Sequence, residues 1–400
     1  MADIAVMGYG IVGAGVVGVL EKNSDIIRKN AGEEVNVKYV LDLRDFPDDP
    51  VQKKIIHDVD ILLADDGVEL VVETMGGVEP AFTFVKKALE RGKHVCTSNK
   101  NLVAAKGAEL LRIAKEKGVY FLFEAAVGGG IPIIRSLNNA LTADKLESVT
   151  GILNGTCNYI LTKMERDGES FEPALKKAQE LGFAERDPEN DIKGYDSCRK
   201  IAILASIISG KCVDYEKIIT EGIDSVSHED IEYAKKLGMK IKLLAKCSYD
   251  DGKLSAITAP FLIGNDHPLY GIDGVINAVS VHGNAVEDVA FTGPGAGRYP
   301  TASAVVSDIV DAIKHKGKDE YPLLWSEEEL IPEDAGKTPY RYFVRIRENE
   351  KNDDSAFEAF RTLSLDSLDD EFAIITDEMT QQEFDERSKK VDTISFFRVI

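Results

Sequence analysis

The sequence predicts an α/β chain: a parallel sheet covered by helices on both faces, then an α+β region, then a small module of strands and helices at the end. Three observations carry this. Short apolar strands alternate with helical stretches up to about residue 124; long helices precede a run of strands from about residue 130; and a strand–helix order returns over 340–399. At 400 residues the chain is also longer than one hydrophobic core usually organises.

The first element is an apolar strand over 3–7, running into Gly8-Tyr9-Gly10-Ile11-Val12-Gly13, after which Val16, Val17, Val19 and Leu20 fall at helical spacing. Further strands are expected over 35–43, 61–63, 70–74, 94–97 and 120–124, with helices over 82–91 and 106–117. Strands alternating with helices imply a parallel sheet buried on both sides. Helices over 131–141, 158–167, 171–181 and 196–208 then precede strands over 241–249, 254–263, 276–282 and 285–292. That order suggests an antiparallel sheet with helices on one face. A helix over 302–314 follows a second glycine cluster, Gly293-Pro294-Gly295-Ala296-Gly297, and is expected to return to the first domain. Residues 322–338 lose the periodic pattern, carry Glu327, Glu328, Glu329 and two prolines, and read as a linker. The tail offers strands over 340–346, 372–376 and 393–399 with helices over 354–363 and 381–389, an order that suits a ferredoxin-like module.

Composition narrows the function classes. Hydrophobic residues make up 44% of the chain, ordinary for a globular protein. With 48 Lys and Arg against 69 Asp and Glu the formal net charge is −21, a field that repels phosphate backbones and anionic lipid. Neither nucleic acid nor membrane is an expected partner. The opening Met1-Ala2-Asp3-Ile4-Ala5-Val6 lacks the regions of a signal peptide, and no apolar run approaches bilayer-spanning length, so a cytoplasmic protein is expected. Cys96, Cys157, Cys198, Cys212 and Cys247 are odd in number and scattered, with no C-x-x-C and no His at metal-ligand spacing. Reduced thiols explain them, and no zinc site is expected.

Gly8-x-Gly10-x-x-Gly13 between a strand and a helix has a mechanical reason. A side chain at the turn would block close approach of a pyrophosphate, and the helix N-terminus behind it supplies unpaired N–H groups and partial positive charge. This is the pattern of a Rossmann dinucleotide site, and Gly8, Gly10, Ile11, Val12 and Gly13 are its candidate cofactor contacts. Asp42, at the end of the second strand, would accept hydrogen bonds from a ribose diol and favour NAD. Arg44, two residues on, would neutralise a 2′-phosphate and favour NADP, so both cofactors stay open at this point.

The densest chemistry lies in Leu181-Gly182-Phe183-Ala184-Glu185-Arg186-Asp187-Pro188-Glu189-Asn190-Asp191-Ile192-Lys193-Gly194-Tyr195-Asp196-Ser197-Cys198-Arg199-Lys200. Asp196 and Lys200 are four apart and share a helix face, so a carboxylate and an ammonium meet. On an arbitrary helix such a pair is a surface pair worth only about 0.3–0.5 kcal/mol. Here the segment resembles the signature of the homoserine dehydrogenase family. So do Asn154-Gly155-Thr156-Cys157-Asn158-Tyr159-Ile160, Thr97-Ser98-Asn99-Lys100, Glu124-Ala125-Ala126-Val127-Gly128-Gly129-Gly130-Ile131-Pro132 and the 293–297 cluster, in the family's order over roughly the first three-quarters of the chain.

The resemblance implies reversible NAD(P)H-dependent reduction of L-aspartate 4-semialdehyde to L-homoserine, a step toward threonine, methionine and isoleucine. It implies that Lys200 is the proton donor and acceptor at the substrate oxygen and that Lys100 supports it beside the nicotinamide. Glu185, Asp191 and Asp196 would hold the substrate ammonium and orient the lysines. Thr97, Ser98, Gly182, Gly295 and Gly297 would border the cofactor, and Glu124, Val127, Gly129 and Ile131 match positions that bind a monovalent cation, usually sodium, three of them through backbone carbonyls. The residue types suit that chemistry: a developing alkoxide needs a proton and positive charge, a lysine serves if burial or a second cation such as Lys100 brings its pKa toward neutrality, and an α-ammonium wants carboxylates.

The domains implied are an NAD(P)-binding Rossmann domain over 1–130 completed by about 298–318, a catalytic and dimerisation domain over 131–297, a linker over 319–338 and an ACT-like regulatory domain over 339–400. A homodimer or homotetramer is implied by the family alone. Thr393-Ile394-Ser395-Phe396-Phe397-Arg398-Val399 resembles the closing strand of ACT domains, through which threonine acts as an effector in many homoserine dehydrogenases. The stretch Glu348-Asn349-Glu350-Lys351-Asn352-Asp353-Asp354 departs from their glycine-containing loop and offers no glycine N–H nest for a carboxylate. Two other readings compete. Cys157 or Cys198 as nucleophile would make an acylating dehydrogenase, but neither has an adjacent His to generate thiolate. A non-catalytic regulator sensing nucleotide and amino acid would use the same loop and tail, yet Lys100 and Lys200 are both present.

Overall fold

The computed structural model describes residues 1–318, 324–350, 352–353, 355–368 and 370–400. The chain divides into two compact units: Met1–Lys145 with Ala202–Tyr215 and Phe291–Leu330, and Leu146–Ile201 with Glu216–Ala290 and Ile331–Ile400. No helix among the described residues is long and apolar enough to cross a membrane.

The first unit is built on a parallel sheet whose strands lie in the order Ile55–Ile56, Val35–Leu41, Ala2–Met7, Val68–Glu73, His94–Thr97 and Phe121–Leu122. The order reverses beside Ala2–Met7, and that switch point opens the crevice where open α/β sheets bind ligands. Ile4, Val6, Leu70 and Val72 are fully buried between the helical layers. Helix Arg298–His315 packs on helix Ile11–Lys22 through Gly15, where a Cβ would lie 2.6 Å from the Arg298 carbonyl oxygen.

The expected strand over 61–63 is instead helix Val59–Ala64, and the short strand at Ile55–Ile56 was not anticipated. Three apolar residues carry too little periodicity to separate the two states; the carboxylate of Asp58 accepts from the Asp60 N–H and starts the helix. Helix Lys100–Lys117 begins earlier than its apolar spacing suggested, because Asn99 caps it by accepting from the Leu102 N–H.

The second unit has a long sheet in which Ile276–Gly283, Leu146–Ile152, Lys240–Asp250 and Lys253–Ile263 pair antiparallel. These pairings are antiparallel as expected, but the tail, expected as a separate module, joins the sheet: Lys253–Ile263 runs parallel to Thr393–Val399, with Phe261 opposite Arg398. The tail therefore extends this sheet, in the order Thr393–Val399, Arg341–Arg347, Glu371–Thr376 and Ala359–Leu363. Helices Gly155–Asp167, Phe171–Glu180 and His228–Leu237 share a core with it, in which Ile160, Met164, Tyr233, Leu243, Leu262 and Phe343 are buried. Arg345, buried, clamps the tail to helix His228–Leu237 with an ion pair to Asp230 at 2.7 Å, while Glu371 of the neighbouring tail strand holds it at 2.9 Å.

The helix expected over 354–363 is not formed; Asp354 lies outside the described residues, and Ala359–Leu363 is an edge strand whose Leu363 faces Ala373. Phe360 and Thr362 favour a pleated surface while Leu363 is a good helix former, and the pairing decides between the two states. Of the expected linker, 319–323 lie outside the described residues. The following part is anchored: Trp325 is 3% exposed against Phe123, and Glu329–Leu330 pairs with Cys212–Val213.

Candidate active site

In the first unit the candidate groups are supplied mainly by backbone. Strand Ala2–Met7 ends in Gly8, whose φ of +94° is open to glycine at little cost. A Cβ on Gly13 would stand 2.0 Å from the Gly8 carbonyl oxygen, so the helix can start this close to the strand only without a side chain. Gly10 precedes helix Ile11–Lys22 with no side-chain cap, and nothing lies within 4 Å of where its Cβ would be. Exposed Ile11 and partly buried Val12 complete the turn. Uncapped N–H groups beside open space fit a pyrophosphate.

Asp42 accepts from the Tyr9 N–H at 2.8 Å and from the Arg44 N–H and guanidinium at 3.0 Å. These donors, the guanidinium foremost, hold its carboxyl well below the usual carboxylate range. The two rival cofactor determinants are thus one bonded pair.

At the ends of the next two strands, Thr97 is buried, Ser98 donates its N–H to the Glu73 carbonyl at 3.3 Å, and Lys100 is the first residue of its helix. The 124–131 loop turns on Gly128 and Gly129, both in the left-handed region. A Cβ on Gly129 would meet the Gly295 carbonyl oxygen at 2.3 Å, which ties this loop to the 293–297 cluster. Gly297, with φ +123°, opens helix Arg298–His315. The carboxylate of buried Glu124 accepts the N–H groups of Ile134 and Arg135 at 2.8 Å, while the Ile131 carbonyl accepts from the Ile133 N–H at 2.8 Å. The Glu124 carboxylate and the Val127, Gly129 and Ile131 carbonyls are hard oxygen donors, the type an alkali cation takes; among the described residues there is no group of three or more His, Cys, Asp or Glu that could hold a metal ion.

In the second unit, side chains hold side chains. Lys200 and Asp196 sit one turn apart on helix Tyr195–Ser209, 10% and 5% exposed at their side chains, with Nζ to Oδ2 at 2.7 Å. Lys200 Nζ also donates to the Leu153 carbonyl at 2.6 Å. Asn154 Nδ2 donates to Asp196 at 2.8 Å and to Asp191 at 2.7 Å, while its Oδ1 caps helix Gly155–Asp167 through the Cys157 N–H. Asp191, Asp196 and Lys200 are thus brought together. Glu185 is exposed, its carbonyl accepting from Gln179 at 3.1 Å, and Gly182 closes helix Phe171–Glu180 with φ +75° in open space. Cys157 and Cys198 are buried, and burial pushes the Cys157 thiol well up, which disfavours the thiolate a nucleophile needs.

Sequence reasoning gave no role to Glu73, Asn154 or Asp308. Each left a signal: an acid ending the apolar run Leu70-Val71-Val72, an Asn before Gly155 at a helix start, and an acid beside Val305, Val306 and Ile309 on a buried helix face. Asp308 accepts from the Glu124 N–H at 2.8 Å and from Arg135 at 2.6 Å, fixing the 124–135 loop to helix Arg298–His315.

Comparison with known proteins bears on the whole chain. Residues 132–310 match the family model for homoserine dehydrogenase, and residues 8–124 that for the homoserine dehydrogenase NAD binding domain. A homoserine dehydrogenase of Bacillus subtilis is 41% identical over 78% of this chain and 73% of its own length; one of Synechocystis is 42% identical over 80% and 76%. The crystal structure of a homoserine dehydrogenase from Thiobacillus denitrificans superposes with a TM-score of 0.91 at 32% identity, covering 100% of this chain and 98% of that one. A hyperthermophilic archaeal homoserine dehydrogenase in complex with NADPH gives 0.66 at 29%, covering 78% of this chain and 97% of that one. The chain belongs to the homoserine dehydrogenase family of NAD(P)-dependent oxidoreductases.

Proposed function

We propose that the chain reversibly reduces L-aspartate 4-semialdehyde to L-homoserine, with Lys200 giving the proton to the substrate oxygen and taking it back in reverse. The observation that carries this is the seating of Lys200: its ammonium has three donors, and among the described residues two are held by the Leu153 carbonyl and Asp196. The third serves the reacting oxygen. A bound nicotinamide supplies the hydride. Lys200 stabilises the alkoxide charge as it develops and protonates it. Asp196, steadied by Asn154, fixes the ammonium's direction, and Asp191 with Glu185 receives the substrate's own ammonium.

In the first unit, Gly8, Gly10 and Gly13 with Ile11 and Val12 receive the pyrophosphate, and Thr97, Ser98 and Lys100 serve the nicotinamide end. Gly295 and Gly297 are assigned to the cofactor on the same family correspondence, as is Gly182 in the second unit. Arg44 meets a 2′-phosphate in NADP, whereas Asp42 meets the ribose diol of NAD, so both cofactors are accepted. Sodium is held by Glu124, Val127, Gly129 and Ile131. The tail acts as a structural extension of the second sheet, and the working enzyme is a homo-oligomer.

The test is direct. The purified protein, mixed with homoserine and either NAD or NADP at alkaline pH, produces the absorbance of reduced nicotinamide. Folded protein that turns over neither pair overturns the proposal.

A further inference from the structure

Glu73 ends the central strand Val68–Glu73, is fully buried, and takes no part in the function proposed above. Its carboxylate gathers donors from two different segments. From its own loop it accepts the N–H groups of Met75 at 2.7 Å and Gly76 at 3.2 Å. From the end of the neighbouring strand His94–Thr97 it accepts the Thr97 hydroxyl at 2.5 Å and, from the loop that follows, more weakly, Asn99 Nδ2 at 3.4 Å. The two segments are joined again where Asn99 Nδ2 donates to the Gly77 carbonyl at 2.6 Å. Thr97 Oγ1 in turn accepts from the Asn99 N–H at 2.9 Å, and Asn99 Oδ1 accepts from the Leu102 N–H at 3.1 Å. An unbroken chain of hydrogen bonds therefore runs from Glu73 through Thr97 and Asn99 to the first turn of the helix that Lys100 begins.

Burial of a carboxylate is costly, and a fold tolerates it where several donors compensate. Burial pushes the Glu73 carboxyl upward; the Thr97 hydroxyl and the two backbone N–H groups pull it back. An apolar residue at this strand end would leave the Met75 and Gly76 N–H groups and the Thr97 hydroxyl without this acceptor, so the carboxylate is what holds the two segments together.

We propose that Glu73 is a positioning residue for Lys100: it locks the 74–77 and 97–99 segments together and thereby sets where the helix carrying Lys100 starts. This rests on the role proposed for Lys100. Displacements of about 1 Å at a reacting centre can cost 10²-fold in rate, so loosening this lock acts on turnover more than on cofactor affinity.

The experiment is a double-mutant cycle on the full-length enzyme, with Glu73→Gln, Lys100→Met and the pair. Glu73→Gln keeps shape and places an amide where the carboxylate took the Thr97 proton. The expected result is a kcat about 10-fold or more below wild type, with dinucleotide Kd within about twofold by fluorescence titration. In the Lys100→Met background the same substitution changes the residual kcat by less than about twofold, as expected if Glu73 acts on turnover through Lys100 rather than through Thr97. Equal losses in both backgrounds, or an unchanged kcat in the single variant, overturn the inference. If Lys100→Met alone keeps wild-type turnover, the role of Lys100 fails first, which separates the two claims. Should Glu73→Gln not fold, Asn99→Ser decides: it keeps a helix cap but cuts the reach to Glu73 and Gly77, and is expected to show the same split between kcat and Kd. Wild-type kcat in Asn99→Ser overturns the inference.

Discussion

The two units hold their candidate groups by opposite means. In the first, the glycine loops present N–H and carbonyl groups, and what matters is the absence of a Cβ: at Gly13, Gly15 and Gly129 an added carbon would lie 2.0, 2.6 and 2.3 Å from a carbonyl oxygen. In the second, a buried lysine, two aspartates and an asparagine hold one another across distances of 2.7–2.8 Å. A backbone-built site tolerates changes of side-chain chemistry but no added volume. A side-chain-built site tolerates modest volume changes but no lost charge.

That contrast is open to test. The largest effect is expected for Asp196→Ala, which leaves the Lys200 ammonium buried beside a vacated carboxylate site. Urea unfolding of the second unit should lose about 3–5 kcal/mol and kcat at least about 10²-fold; a loss under about 1 kcal/mol would place the pair among ordinary surface pairs. Next comes Gly13→Ala, for which overpacking costs about 1–3 kcal/mol and dinucleotide affinity is expected to fall about 10-fold or more. Gly10→Ala sharpens the comparison, since nothing lies within 4 Å of its Cβ position. Its stability should stay within about 1 kcal/mol of wild type. Equal destabilisation by the two alanines would refute the view that close approach alone dictates glycine here.

A smaller effect belongs to the first unit alone. His94 accepts the Tyr120 N–H on Nδ1 at 3.0 Å, and burial lowers its pKa from 6.5 to about 4. Between those values the unfolded chain binds more protons than the folded one, so stability rises with pH and is lost as pH falls from about 6.5 toward 4. From pH 7 to pH 5 the linkage amounts to about 2 kcal/mol. In His94→Asn, which keeps an acceptor without the titration, the unfolding midpoint of the first unit should change less over that range. An identical pH slope in both proteins would exclude His94 as its source.

What the sequence revealed follows the same division. Gly8, Gly10 and Gly13 were legible because backbone geometry forces glycine at fixed spacing after a strand. The parallel sheet was legible because strands buried on both faces read as apolar runs such as Leu70-Val71-Val72. Pairing partners were not: the parallel match of Phe261 with Arg398 depends on residues far apart in the chain, and Ala359–Leu363 becomes a strand through its partner Glu371–Thr376. Strand Leu146–Ile152 and helix His228–Leu237 were missed. Asp196 and Lys200 were suggested by helical spacing, but their burial and the bridging Asn154 come from long-range packing. Glu73 and Asp308 carry only the weak signal of a charge within an apolar run, which becomes meaningful once their partners are located.

The proposed chemistry turns on Lys200 delivering the proton. Its most direct test measures kcat for homoserine oxidation and dinucleotide Kd in Lys200→Met, a substitution that keeps the aliphatic stem and removes the donor. If Lys200 delivers the proton, kcat falls by at least about 10²-fold while Kd stays within about twofold of wild type. Turnover near the wild-type rate, with the cofactor still bound, would contradict it.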